Sequence, residues 1–187
     1  MVGRELRPIC ESPDSPSVLL TAPTGIAATN INGITIHSPF SIPININYNT
    51  YTSLSHDKLA AFRNEFQDLH LVIIDEISMV GLPLLTSVHK RLQEIRGITN
   101  NTEVFGGFSI LAVGDFYQIE PVKQKPLFAL PSDPYLCLNP IHLWKDVFSF
   151  YELTEVMRQN NEENFASILN RMRVGTISDP DVTTFKN

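Results

Sequence analysis

One short run constrains this chain more than any other: Leu71-Val72-Ile73-Ile74, followed at once by Asp75-Glu76. Four consecutive apolar residues, mostly β-branched, offer no polar face to water, so they read as a strand buried on both sides. The two carboxylates must then emerge where the strand leaves the core. Three further runs have the same character: Ser17 to Ala22 (SVLLTA), Phe108 to Val113 (FSILAV) and Phe148 to Leu153 (FSFYEL).

Helical patterns lie between and after these runs. From Pro83 to Arg96, the residues Leu85, Val88, Leu92 and Ile95 recur at spacings of three and four, and Gly97 follows as a stop. Asp57 to Asp68 carries Leu59, Phe62 and Phe66 on one face. Glu162 to Arg173 carries Phe165, Ile168, Leu169 and Met172, with Asn160 and Glu163 as a capping pair and Gly175 beyond the end. Strands alternating with helices predict an α/β fold, a mostly parallel sheet covered on both faces as a three-layer sandwich. Residues 1–16, interrupted by Pro8, Pro13 and Pro16, read as an unstructured leader; the ordered part spans 17–175, and 176–187 read as a tail.

Composition narrows the function classes. At 187 residues and 43% hydrophobic, the chain can bury one good core. Its formal charge of -6 argues against binding nucleic acid by charge alone, although a local basic groove remains compatible with it. Two cysteines, Cys10 and Cys137, do not make a disulfide framework, which points to a reducing compartment, nucleus or cytosol. No apolar run approaches the roughly 20 residues that cross a bilayer, and Met1 to Asp14 has no apolar signal core. Import into an organelle such as the mitochondrion stays open.

The chemistry concentrates at strand ends. Asp75 and Glu76 fall at the C-terminal edge of a parallel sheet, where open α/β folds bind ligands. There Asp75 suits a Mg²⁺ ion and Glu76 an attacking water, although both acids could simply cap the following turn. A second strand ends in Gly114-Asp115-Phe116-Tyr117-Gln118, whose amide can report on a terminal phosphate; an ordinary Gly-Asp turn is the plain alternative. Arg158 follows the fourth run and suits charge building on a transferred phosphoryl group, or a surface ion pair. The stretch from Thr21 through Thr24, Gly25, Gly33, Thr35, His37 and Ser38 supplies small residues, amides and hydroxyls that can track a sugar-phosphate backbone. His37 taken alone reads more readily as a structural histidine.

These segments together resemble one family. TAPTGIAATNINGITIHSPF (Thr21 to Phe40) is similar to motifs Ia and Ib of the petite-integration-frequency (PIF) helicases, the RecD-like branch of superfamily one. IIDEISMVG (Ile73 to Gly81) resembles their Walker B motif, GDFYQIEPV (Gly114 to Val122) motif III, and ELTEVMRQ (Glu152 to Gln159) motif IV. LNRMRVG (Leu169 to Gly175) resembles the segment that follows. The resemblance implies a RecA-like P-loop NTPase domain and ATP-dependent 5′-to-3′ DNA unwinding, with roles in telomere maintenance, repair and recombination. It implies Asp75 for Mg²⁺, Glu76 for water activation, Gln118 and Arg158 for the γ-phosphate of ATP, and Thr24, Gly25, His37 and Ser38 for single-stranded DNA. Glu120 stands where many relatives carry proline.

One family feature is missing from the sequence. None of the six lysines, Lys58, Lys90, Lys123, Lys125, Lys145 and Lys186, is followed by Ser or Thr, so no G-x-x-x-x-G-K-[ST] phosphate loop can be written. The expectation is an incomplete RecA-like domain, inactive alone, with a gap or re-pairing where an interior strand would sit. The alternative is a helicase remnant that binds single-stranded DNA or a partner protein without turnover.

Overall fold

The computed structural model describes residues 16–44, 51–98, 103–129, 142–154 and 163–184. The chain divides into two compact units, Met1–Phe148 and Ser149–Asn187. In the first, β1 (Val18–Ala22), β2 (Ile34–Thr35), β3 (Leu71–Ile74) and β4 (Ser109–Ala112) form a sheet of order β2-β1-β3-β4. Every strand pair in it is parallel. The helices are α1 (Gly25–Asn30), α2 (His56–Glu65), α3 (Leu82–Arg96) and α4 (Leu143–Val147). The second unit holds α5 (Glu163–Arg173) and α6 (Asp179–Thr184).

Three of the expected strands form, β3 over the whole of its apolar run and β1 and β4 slightly shorter than theirs. The fourth does not: Phe148 to Leu153 makes no strand, and Phe150, Tyr151 and Leu153 are exposed. Aromatics confer strand propensity, but a strand exists only in a ladder, and this run has no ladder partner among the described residues. No gap opens inside the sheet either. β1, β3 and β4 pair in continuous register, Leu20 with Ile73 and Ile73 with Leu111, so among the described residues the sheet's edges are the outer sides of β2 and β4.

The two faces of the sheet differ. Leu19, Val72 and Ile74 are buried against Leu85, Val88, Leu92 and Ile95 of α3, with Leu59 and Phe62 of α2 at the margin. On the opposite face Leu20 and Ile73 are half-buried and Leu111 is 46% exposed. Among the described residues, cover on that face comes at the β1 corner, where Ala27 and Ala28 of α1 pack on Ala22.

Helix α3 starts with a proline in its first turn and stops at Gly97, whose φ of 73° is the left-handed cap expected of it. Helix α2 ends at Glu65, earlier than its periodicity suggests: Phe66 leaves helical backbone geometry while its ring stacks on Phe62 at 5.7 Å. After α3 the chain makes a left-handed turn at Phe105 and Gly106. His89 Nδ1 accepts the Phe105 amide at 2.9 Å to hold that turn. A Cβ on Gly106 would lie 2.6 Å from the Leu92 carbonyl oxygen, so only glycine lets the turn lie this close to α3 and feed β4.

In the second unit Arg171 makes a bidentate ion pair with Asp181. Asp181 also accepts the amide and hydroxyl of Ser178, which ties down the start of α6. The partner Asn160 expected to cap α5 lies outside the described residues.

Candidate nucleotide and nucleic-acid site

Because the strands are parallel, their C-terminal ends share one edge, and the chemistry collects there. β3 leaves the core at Ile74. The Asp75 amide donates to the Thr21 carbonyl (2.9 Å), and the Thr21 hydroxyl donates to the Ile73 carbonyl (2.9 Å), so the end of β1 fixes where Asp75 emerges. Glu76 then adopts φ 52°, ψ 47°, a left-handed conformation that costs a non-glycine residue on the order of 1–2 kcal/mol. The surrounding contacts impose it: the Ile77 amide donates to the Val113 carbonyl (3.0 Å), and the Val113 amide to the Ile74 carbonyl (2.9 Å). A Cβ on Gly114 would come within 2.8 Å of the Ile77 nitrogen, so the glycine is what lets the two strand exits touch.

The acid pair and the motif carrying Gln118 thus leave adjacent strands side by side. Asp115 folds its own loop: Oδ1 accepts the Tyr117 amide (2.9 Å), its carbonyl accepts the Gln118 amide (2.9 Å), and Oδ2 lies 3.4 Å from Gln118 Nε2. Gln118 is exposed at the edge. Among the described residues the carboxylates of Asp75 and Glu76 make no hydrogen bond or ion pair, and both side chains are half-buried. Two unspent carboxylates fit a cation that keeps most of its water and takes one or two protein ligands, as Mg²⁺ does. No group of three or more metal-binding side chains exists among the described residues.

The small-residue stretch reaches the same edge. Thr24 caps α1 by accepting the Ala27 amide (3.2 Å), and the space above Gly25 is open, with nothing within 4 Å of a Cβ there. Pairing of Ala22 with Thr35 and the bond from the Ile36 amide to the Ala22 carbonyl bring the next turn alongside. In it Ile36 and Phe40 are fully buried anchors, Ser38 is exposed, and His37 is half-buried, its imidazole held below the usual histidine range by desolvation. Arg158 lies outside the described residues. Sequence reasoning missed the Asp115 carboxylate as the support of Gln118. Asp three residues before an exposed side-chain amide was the available signal.

A profile of the family described as PIF1-like helicase matches residues 6–183. This chain belongs to that family. Among related PIF1-family proteins, the ATP-dependent DNA helicase PIF1 of Candida albicans is 33% identical over 174 residues, covering 90% of this chain and 19% of that protein. Human ATP-dependent DNA helicase PIF1 is 30% identical over 167 residues, covering 85% and 23%. The chain thus spans about a fifth of the length of these curated relatives. The crystal structure of the Candida albicans Pif1 helicase superposes with a TM-score of 0.71 at 28% identity, covering 97% of this chain and 38% of that one. A Bacteroides Pif1 helicase in complex with ADP-AlF3 and single-stranded DNA gives 0.67 at 27% identity, covering 95% and 41%. The parallel sheet is the RecA-like α/β architecture of those PIF1-family structures.

Proposed function

We propose that this chain forms the Walker B and DNA-contacting part of an ATP-dependent, 5′-to-3′ DNA helicase serving telomere maintenance, repair and recombination. The observation that carries the reading is the adjacency of the β3 and β4 exits, which puts the unpaired Asp75 and Glu76 carboxylates beside the Gln118 loop on one edge. When bound, Mg²⁺ and ATP supply the scissile phosphoanhydride and the charge that activates it. Asp75 would hold the metal, Glu76 would orient and deprotonate the attacking water, and Gln118 would meet the γ-phosphate. Arg158 would add a cation to the transferred phosphoryl group. Thr24, Gly25, His37 and Ser38 contact single-stranded DNA mainly through amides and hydroxyls, which suits a chain of net charge -6. The nucleus or cytosol, with the mitochondrion as a further setting, completes the reading.

A second form of the same reading is that this chain binds DNA without turning over ATP. Both forms predict that the isolated chain binds labelled oligothymidine in fluorescence anisotropy. Replacing His37 and Ser38 together with alanine should weaken that binding by about tenfold. Neither form predicts ATP hydrolysis by this chain with Mg²⁺ and DNA. Turnover that disappears in Glu76→Ala would mean that the site is complete as it stands. Unchanged DNA affinity in the double variant would remove these residues from the interface.

A further inference from the structure

Arg91 of α3 is 4% exposed and takes no part in the chemistry above. Its Nε donates to the Phe40 carbonyl (2.9 Å), its Nη2 to the Thr52 carbonyl (3.2 Å), and its Nη1 to Glu94 Oε2. Glu94 also accepts the Tyr51 hydroxyl on Oε2 and the Leu54 amide on Oε1 (2.9 Å). The guanidinium carbon lies 5.0 Å from the Tyr51 ring centroid. A buried charge is a costly way to fill a core that methionine or leucine would fill as well. This one spends its donors on main-chain carbonyls from two separate segments, which no apolar residue could hold.

Phe40 closes the turn that displays His37 and Ser38. Within it the Ser38 amide bonds the Thr35 carbonyl, the Ser41 amide the Ser38 carbonyl, and the Ile42 amide the His37 carbonyl. The Phe40 ring is fully buried, 6.3 Å from Phe66, so the turn is anchored from below by a ring and by its carbonyl. We propose that Arg91 is a positioning residue for DNA contact: it grips the Phe40 carbonyl so that His37 and Ser38 stay presented at the sheet edge, and Glu94 fixes the orientation of its fork. Lysine cannot substitute, because an ammonium has no planar set of donors that reaches both carbonyls and the carboxylate together. The proposal rests on the reading of His37 and Ser38 as DNA contacts.

Two measurements on the isolated chain test it: amide exchange at Ser38, Ser41 and Ile42, and oligothymidine affinity by anisotropy. Arg91→Met should raise exchange at those three amides by about tenfold or more relative to Val72 and Ile74 of β3, and weaken binding by about tenfold. Arg91→Lys should move both readouts in the same direction and serves if the methionine variant does not fold. Leu92→Ala, next to it on the helix, controls for stability: below its melting range it should speed exchange across the sheet and turn alike and leave affinity within about twofold. Selective exchange without binding by the parent chain would discard the DNA reading and keep the clamp. Uniform exchange in both Arg91 variants, or affinity lost equally in Leu92→Ala, overturns the proposal.

Discussion

The same three strands show two different faces. On one, Leu19, Val72 and Ile74 are sealed by α3; on the other, Leu20, Ile73 and Leu111 are as apolar but stand half-buried or exposed. Sequence chemistry is nearly identical across the two, so neither hydrophobicity nor strand propensity sets the difference. What sets it is which segment the chain supplies as cover. Helix α3 follows β3 directly and brings four apolar residues in register, whereas α1 is a single short element that reaches one corner. A parallel sheet is stable in water when both faces are covered, so among the described residues the face packed on α3 carries most of the apolar burial of this unit.

Leu92→Ala probes the sealed face, and its effect should be the largest. The side chain is fully buried, and truncation should cost about 2–5 kcal/mol in urea unfolding. A loss no larger than that from Leu111→Ala would mean the two faces are equally covered in solution, and the comparison would fail.

Acid should attack the sealed face next. Burial pushes the His89 pKa from 6.5 down to about 4, so between those values the unfolded chain binds a proton that the folded chain refuses. Stability is therefore fully present above pH 6.5 and falls as the pH drops toward 4, by at most about 3 kcal/mol. Protonation also removes the Nδ1 lone pair that holds the Phe105 amide. Urea midpoints measured from pH 7 to pH 4.5 should show the decline, and His89→Gln should flatten it. An undiminished slope in that variant would assign the acid sensitivity to another group.

Much of this was legible in the residues. β3 and its carboxylate exit, the α3 stripe and its Gly97 stop all follow from local pattern, because a run of β-branched residues or a 3.6-residue period needs no knowledge of neighbours. Phe148 to Leu153 was misjudged for the converse reason: its aromatics favour a strand, but whether such a run becomes one depends on a partner, which propensity cannot supply. The candidate site divides the same way. Strand ends announced Asp75, Glu76 and Gln118. The left-handed backbone at Glu76 and the contact of Ile77 with Val113 arise from two strands meeting, and no single segment encodes them. The Arg91 clamp was invisible because its two carbonyls come from separate segments and a carbonyl has no sequence signature.

The open face supplies the smallest effect on stability and the sharpest test of the comparison. Leu111→Lys places a charge where Leu111 is 46% exposed, on β4, an edge strand of the sheet among the described residues. A lysine there can extend its ammonium into water while its stem lies along the sheet, so unfolding free energy should change by less than about 0.5 kcal/mol. Colloidal behaviour should change more, since an apolar face beside an unpaired strand edge is the kind of surface through which chains associate, and an edge lysine blocks it. Sedimentation of the parent chain should show concentration-dependent association that Leu111→Lys reduces. A stability loss approaching that of Leu92→Ala would instead mean that this face is already covered within the chain, and the sheet would then be a finished sandwich with two equivalent sides.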